Sequence, residues 1–98
     1  MNRQKTLTAD GVVCAGPGVL EGILMVTDGT NDLTVQVYDN ASAASGTVLI
    51  PALISTTAAT KRFEYLPIPS LEFANGMYLN LTLGGGAASV VFFYRNNN

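Results

Sequence analysis

Histidine and tryptophan are absent from this 98-residue sequence, and Cys14 is its single cysteine. Histidine is the commonest general base and metal ligand in proteins. Without it, the chain cannot build a Ser-His-Asp or Cys-His arrangement, and a structural zinc site of the Cys/His type is excluded. Cys14 cannot form an internal disulfide, so we expect it to be a small buried apolar residue. We therefore expect no transition metal and no cofactor.

Charge is also scarce. Charged residues make up 12% of the sequence, five of them are Lys or Arg, and the net charge is −2. Nucleic-acid binding needs a concentrated basic stripe, so we predict no nucleic-acid partner. No apolar run approaches the roughly 18 residues of a membrane helix, and no apolar segment follows the basic start of the chain, as a signal peptide requires. We expect no membrane partner and synthesis in a cytosol-like compartment.

Signals for other kinds of site are weak. The seven carboxylates lie in no motif that would place two across a cleft, so we predict that the chain is not an enzyme. Gly16–Gly18 and Gly84–Gly86 lack the Lys-Ser/Thr pair and the helix of a phosphate loop, so both are predicted turns. Asp28–Asp32 gathers oxygen ligands, as calcium loops do, but it lacks the downstream glutamate of an EF-hand. A hairpin turn is the simpler interpretation, and calcium binding is the alternative.

Short apolar runs between turn-forming residues predict an all-β fold. Leu33–Asp39 and Met77–Leu83 alternate apolar and polar residues, which is the period-two pattern of a half-buried strand. Seven or eight such strands suit a two-layer antiparallel β-sandwich. The other predicted strands are Thr6–Ala9, Val12–Ala15, Val19–Thr27, Val48–Ser55, Lys61–Leu66 and Ser89–Arg95, and the predicted core includes Val35, Val37, Leu79 and Leu81.

The predicted organisation is a single domain. We place the sandwich at residues 6–95. A polar, flexible N-terminal arm is predicted over residues 1–5, since the termini of small domains are often loose. Residues 96–98 are predicted to form a polar C-terminal tail.

Two strands break the alternation. Val19–Val26 and Val90–Tyr94 are apolar on both faces, whereas one face of an antiparallel sandwich normally meets water. A covering loop or chain end is one explanation. Burial at a subunit interface is the other, and the low charge content favours it. The candidate interface residues are Leu20, Leu24, Val26, Val91, Phe92, Phe93 and Tyr94.

Tyr38 and Tyr78 fall on the polar faces of the two alternating strands and are candidate neighbours. Exposed aromatic rings beside polar groups suit sugar binding. A tyrosine on a sheet face more often packs against a cross-strand partner. A glycan-binding β-sandwich module therefore stands as an alternative function.

Several segments resemble small structural proteins of tailed bacteriophages. They are Gly22-Ile23-Leu24, Thr34–Asn40 with its Tyr-Asp-Asn end, Ser45–Val48, Phe73–Leu79 around Asn75-Gly76, and Val90–Arg95. The resemblance implies a jelly-roll-like virion component, foremost a capsid decoration (cement) protein that works as a homotrimer and binds the major capsid protein. Tail, fibre and adaptor subunits share these features and remain alternatives.

The same resemblance implies a location and a mode of action. The protein would be made in the host cytoplasm and would sit on the capsid surface of the virion, where several weak contacts per oligomer combine by multivalency to stabilise the head. Arg3 and Lys5 in the N-terminal arm are the candidate residues for capsid contact. The resemblance supplies no catalytic or cofactor-binding residue.

Overall fold

The computed structural model describes residues 2–27, 33–55, 63–83 and 88–96. All regular secondary structure in these ranges is β-strand. The strands are β1 (Asn2–Leu7), β2 (Gly11–Ala15), β3 (Gly18–Val26), β4 (Leu33–Tyr38), β5 (Val48–Ser55), β6 (Phe63–Phe73), β7 (Gly76–Leu83) and β8 (Ser89–Asn96).

The chain folds as one long hairpin that is rolled into two layers. β1 pairs with β8, β2 with β7, β3 with β6 and β4 with β5, all antiparallel. Further pairing of β3 with β8 and of β4 with β7 completes the sheets. Sheet I has the order β1-β8-β3-β6, and sheet II has the order β2-β7-β4-β5. This is the strand order of a jelly roll, so the predicted antiparallel sandwich is confirmed.

The core lies between the sheets and follows the predicted alternation. Along β4 every second side chain is buried, and Val35 and Val37 are fully buried. Leu79 on β7 is also fully buried, and Leu81 is half-buried against the same core. The period-two pattern thus identified the inward faces of both strands.

The apex of the long hairpin is the connection from β4 to β5. The Asp39 N–H donates to the Thr47 carbonyl oxygen at 2.8 Å, which closes the connection. The Asn40 side-chain oxygen accepts from the N–H groups of Ser42 and Ala43 at 2.8 and 2.9 Å. Such side-chain to backbone bonds are the reason that asparagine favours turns.

Asp39 also fixes the turn between β6 and β7. Its carboxylate accepts the N–H groups of Ala74 (3.0 Å), Asn75 (2.7 Å) and Gly76 (3.3 Å). Gly76 has a φ of +150°, and a Cβ there would lie 2.5 Å from the Cys14 carbonyl oxygen. A side chain at this position would be strained, which explains the glycine.

The Asp39 bonds predict a specific loss of stability in acid. Partial burial alone would raise the pKa of this carboxyl, but the three N–H donors outweigh it and lower the pKa below its ordinary value. A carboxylate with a lowered native pKa stabilises the fold above its unfolded pKa of about 3.9, and this contribution is lost as pH falls through the native value. We expect the urea concentration at the unfolding midpoint to decrease as the pH is lowered below about 4. Asp39→Asn should weaken this pH dependence. An equal decrease of the urea midpoint with falling pH in the two proteins would contradict the prediction.

The first strand lies where the sequence predicted a loose arm. Asn2–Leu7 forms β1 and pairs residue by residue with β8, from Asn2 opposite Arg95 to Leu7 opposite Val90. The predicted arm over residues 1–5 and the predicted strand Thr6–Ala9 are therefore replaced by one edge strand. An edge strand is held by backbone hydrogen bonds and needs no apolar alternation. Asn96, predicted as the start of the tail, ends β8.

The sixth strand is longer than predicted. β6 runs on to Phe73 through Pro67 and Pro69, which the sequence indicated as a corner after Leu66. Its pairing with β3 shifts register between Leu20 and Gly22. Proline fits extended backbone at a sheet edge, where its missing N–H costs no ladder bond.

Candidate functional site

Neither a metal-binding cluster nor a cavity is present among the described residues. No group of three or more His, Cys, Asp or Glu side chains in residues 2–27, 33–55, 63–83 and 88–96 could hold a metal ion, and no cavity is found there. The same ranges include no helix long and apolar enough to cross a membrane. The calcium candidate Asp28–Asp32 lies outside the described residues.

Cys14 is a buried free thiol in the core, as its lone occurrence suggested. Burial raises the pKa of this thiol, and the nearby Arg3 guanidinium lowers it by less. Burial also raises the pKa of the Tyr94 hydroxyl. A thiol with a raised pKa stays protonated at neutral pH and is a poor nucleophile.

Three of the seven interface candidates are core residues. Leu20 and Phe92 are fully buried between the sheets, and Tyr94 is 8% exposed. They are covered within one chain by sheet II, so their side chains do not form part of the outer surface. Six of the eleven apolar residues of β3 and β8 belong to the hydrophobic core: Leu20, Ile23, Met25, Val90, Phe92 and Tyr94.

The other four candidates lie on the outward side of sheet I and are half-buried. Leu24 stands in register between Val91 on β8 and Tyr65 on β6. The Tyr65 and Phe93 rings pack edge to face, with centroids 6.0 Å apart. Tyr65 is 51% exposed, so one side of this aromatic pair meets water. We name this surface the apolar outer face: Leu24, Val26, Tyr65, Val91 and Phe93.

A glycine lets this face pack closely, and an ion pair borders it. Tyr65 covers Gly22, where a Cβ would lie 2.7 Å from the Tyr65 hydroxyl oxygen. Arg95 Nε and Glu21 Oε1 are 2.5 Å apart, on half-exposed side chains. An exposed pair of this kind adds little stability. The sequence reasoning missed Tyr65 as an interface candidate, although its aromatic strand was a usable signal.

The sheet edges formed by β1 and β2 have features that oppose the addition of another strand. Arg3 and Lys5 are in register with Tyr94 and Phe92, so they point to the inward side of sheet I, yet both are exposed. The capsid-contact candidates thus lie at the open edge of the sandwich. Inward-pointing charge and short, bulged strands are known protections of sheet edges. β2 has only 5 residues and a register shift beside Val13.

The other two edges are protected by proline. β5 contains Pro51, and its register with β4 shifts on the way from Val35 to Tyr38. β6 contains Pro67 and Pro69, and Ser70 has a left-handed φ of +49°. Proline and irregular backbone both interrupt the row of N–H groups that an added strand would need.

The outward side of sheet II has a different composition. Tyr38 and Tyr78 are direct cross-strand partners, so the predicted neighbours do meet. The Tyr38 hydroxyl donates to Gln36 Oε1 at 3.0 Å. In the next two outward rows, the amide of Gln36 lies opposite that of Asn80, and the hydroxyl of Thr34 lies opposite that of Thr82. We name this surface the tyrosine face: Thr34, Gln36, Tyr38, Tyr78, Asn80 and Thr82.

Comparison of the chain with protein-family models, with curated proteins and with solved structures found no match. The two outer faces of the sandwich are therefore the candidate functional surfaces.

Proposed function

We propose that the chain is a structural protein of a bacteriophage virion, a capsid decoration protein that self-associates and binds the major capsid protein lattice. The observation that carries self-association is the contrast between the apolar outer face of sheet I and the polar tyrosine face of sheet II. The virion role follows from the sequence resemblance. The jelly roll adds support by analogy, since viral capsid domains often use it, although a fold alone does not fix a function.

The energetics favour burial of the apolar outer face. Leaving a few hundred Å² of apolar surface in water forgoes several kcal/mol at about 25 cal/mol per Å². The molecule measures 40 × 25 × 18 Å, so one sheet face spans on the order of 1,000 Å². A stable interface needs about 800 Å² from each partner. One sheet face is therefore large enough for a complete interface.

The protected edges favour association through faces. Each of the four edge strands carries a feature that opposes strand addition: inward cations on β1, a register shift in β2, and prolines in β5 and β6. A second copy that cannot extend either sheet can still pack on an outer face. Of the two outer faces, as far as the structure describes their side chains, the one with Tyr65 and Phe93 gains more from this contact.

A second copy is the occupant that we propose for this face. Closed rotational symmetry buries the same patch on every subunit, either against itself across a two-fold axis or against a neighbouring part of the next copy around a three-fold axis. The trimer is proposed from the family resemblance. Arg3 and Lys5 are exposed at the β1 edge, away from the apolar outer face, and are available to contact the capsid lattice.

Immunogold electron microscopy tests the virion role. An antibody raised against the purified protein would be applied to phage particles released by cells that carry this gene. We expect many gold particles on each head, because a decoration protein occupies repeated lattice positions. Label confined to tails or fibres would overturn the decoration role in favour of the accessory-subunit alternative. Particles without label would contradict a virion role altogether.

A further inference from the structure

The tyrosine face presents three matched rows of side chains across β4 and β7. Tyr38 faces Tyr78 in the first row, and the amide row and the hydroxyl row follow along the strands. Successive outward rows lie about 7 Å apart, since a strand advances about 3.4 Å per residue. The face is therefore a strip along the two strands, with aromatic rings at one end and hydrogen-bonding groups along the rest.

The polar groups of this strip have unused hydrogen-bonding capacity. The bond from the Tyr38 hydroxyl occupies the oxygen of Gln36 and leaves its NH₂ group without a partner in the described residues. The Asn80 amide, the direct partner of Gln36, makes no hydrogen bond in the described part of the chain either. An amide can donate two bonds and accept two. Amide hydrogen-bond donors and acceptors therefore lie next to Tyr38 and Tyr78.

The row that contains Tyr38 and Tyr78 continues with apolar side chains on the two neighbouring strands of sheet II. Val12 is the register partner of Tyr78, and Val48 is the register partner of Tyr38. Val48 is 42% exposed. The first row therefore crosses all four strands of sheet II as Val-Tyr-Tyr-Val, and no charged side chain belongs to the rows described above.

We infer that the tyrosine face binds a neutral oligosaccharide. A pyranose ring has an apolar C–H face, which packs on tyrosine rings, and hydroxyl groups, which bond to amides and hydroxyls. The absence of charge from these rows gives no attraction for a polyanion, and the three successive rows suit a chain that lies along the strands. This site is on the opposite side of the sandwich from the apolar outer face, so it does not depend on self-association.

The test uses ¹⁵N-labelled protein and three neutral probes: cellohexaose, maltohexaose and chitohexaose. Each is titrated to millimolar concentration while amide chemical shifts are recorded. We expect at least one probe to shift the amides of residues 34–38 and 78–82. Tyr78→Ala should weaken that probe at least about tenfold, which corresponds to about 1.4 kcal/mol.

Two further variants make the result specific. Gln36→Ala keeps both tyrosine rings and removes one amide, so it should also weaken binding if the protein still gives a folded spectrum. Tyr65→Ala removes an exposed tyrosine from the apolar outer face and should leave sugar affinity unchanged. The proposal is overturned if no probe shifts these amides or if Tyr65→Ala matches Tyr78→Ala. It is equally overturned if isolated phage capsids, and none of the three sugars, weaken the signals of these amides, which would assign the face to a protein partner.

Discussion

Phe92→Ala is expected to lower the free energy of unfolding by about 3–5 kcal/mol, which is a large part of the roughly 5–15 kcal/mol of a small domain. Phe92 is fully buried and is among the largest side chains of the core. It stands on β8, with Lys5 of β1 and Ile23 of β3 as its register partners. Alanine would leave a cavity that the strands around it cannot close, because both are held by backbone pairing.

Urea denaturation followed by circular dichroism measures this effect. The unmodified protein and the variant must be compared at one protein concentration, because self-association would add to apparent stability. Phe93→Ala is the matched control, with the same chemistry one residue further along the strand. Phe93 is half-buried on the outward side, so its truncation should cost clearly less within a subunit. Equal losses at the two positions would contradict the assignment of inward and outward faces.

Phe93→Asp is expected to convert an oligomer into folded monomers. The unmodified protein should scatter light with a mass that is a multiple of 10.3 kDa, and the variant should return 10.3 kDa. The reason is that a carboxylate in an apolar interface loses its hydration and gains no partner, which costs several kcal/mol. In the isolated subunit the same carboxylate remains in contact with water.

The control for this experiment is Thr82→Asp. Thr82 is exposed on the outward side of sheet II, so the variant adds the same charge to a strand but spares the apolar outer face. It should keep the oligomer. Circular dichroism must show that Phe93→Asp is folded; if it is not, Leu24→Lys provides the second variant. A mass of 10.3 kDa for the unmodified protein at micromolar concentration would mean that self-association is wrong.

Alternation made most of the architecture predictable. The strands β4 and β7 have one apolar and one polar side, so their inward residues followed from the period of two, and each predicted strand differs from the observed one by a single residue at one end. The first part of β1 could not be predicted, because Asn2–Lys5 contains no apolar residue and its pairing depends on the backbone of β8. The predicted sixth strand ends at Leu66 because proline usually ends a strand. At this sheet edge the strand continues through two prolines.

The candidate surfaces were only partly predictable. A strand that is apolar on both sides does not show which side faces the core, so Leu20, Phe92 and Tyr94 were grouped with outward residues. Tyr65 joined the apolar outer face only through the pairing of β6 with β3. Contacts between segments that are remote in sequence depend on register, and a period within one strand carries no information about register.

The Tyr-Asp-Asn and Asn-Gly motifs illustrate the same limit. Each is recognisable alone as a turn signal. The structure shows that Asp39 of the first motif accepts the N–H groups of Asn75 and Gly76 in the second. Their sequence separation of 36 and 37 residues gave no indication that they meet.

The position of β8 has a consequence for how the protein is made. The last strand in chain order occupies an interior place in sheet I, between β1 and β3. During translation, β1 therefore leaves the ribosome long before β8, the strand with which it pairs, exists. The nascent chain must keep β1 and the second side of β3 unpaired until β8 has been synthesised. We expect sheet I to form only after β8 has been synthesised, in one late cooperative step, as the many distant pairings also favour.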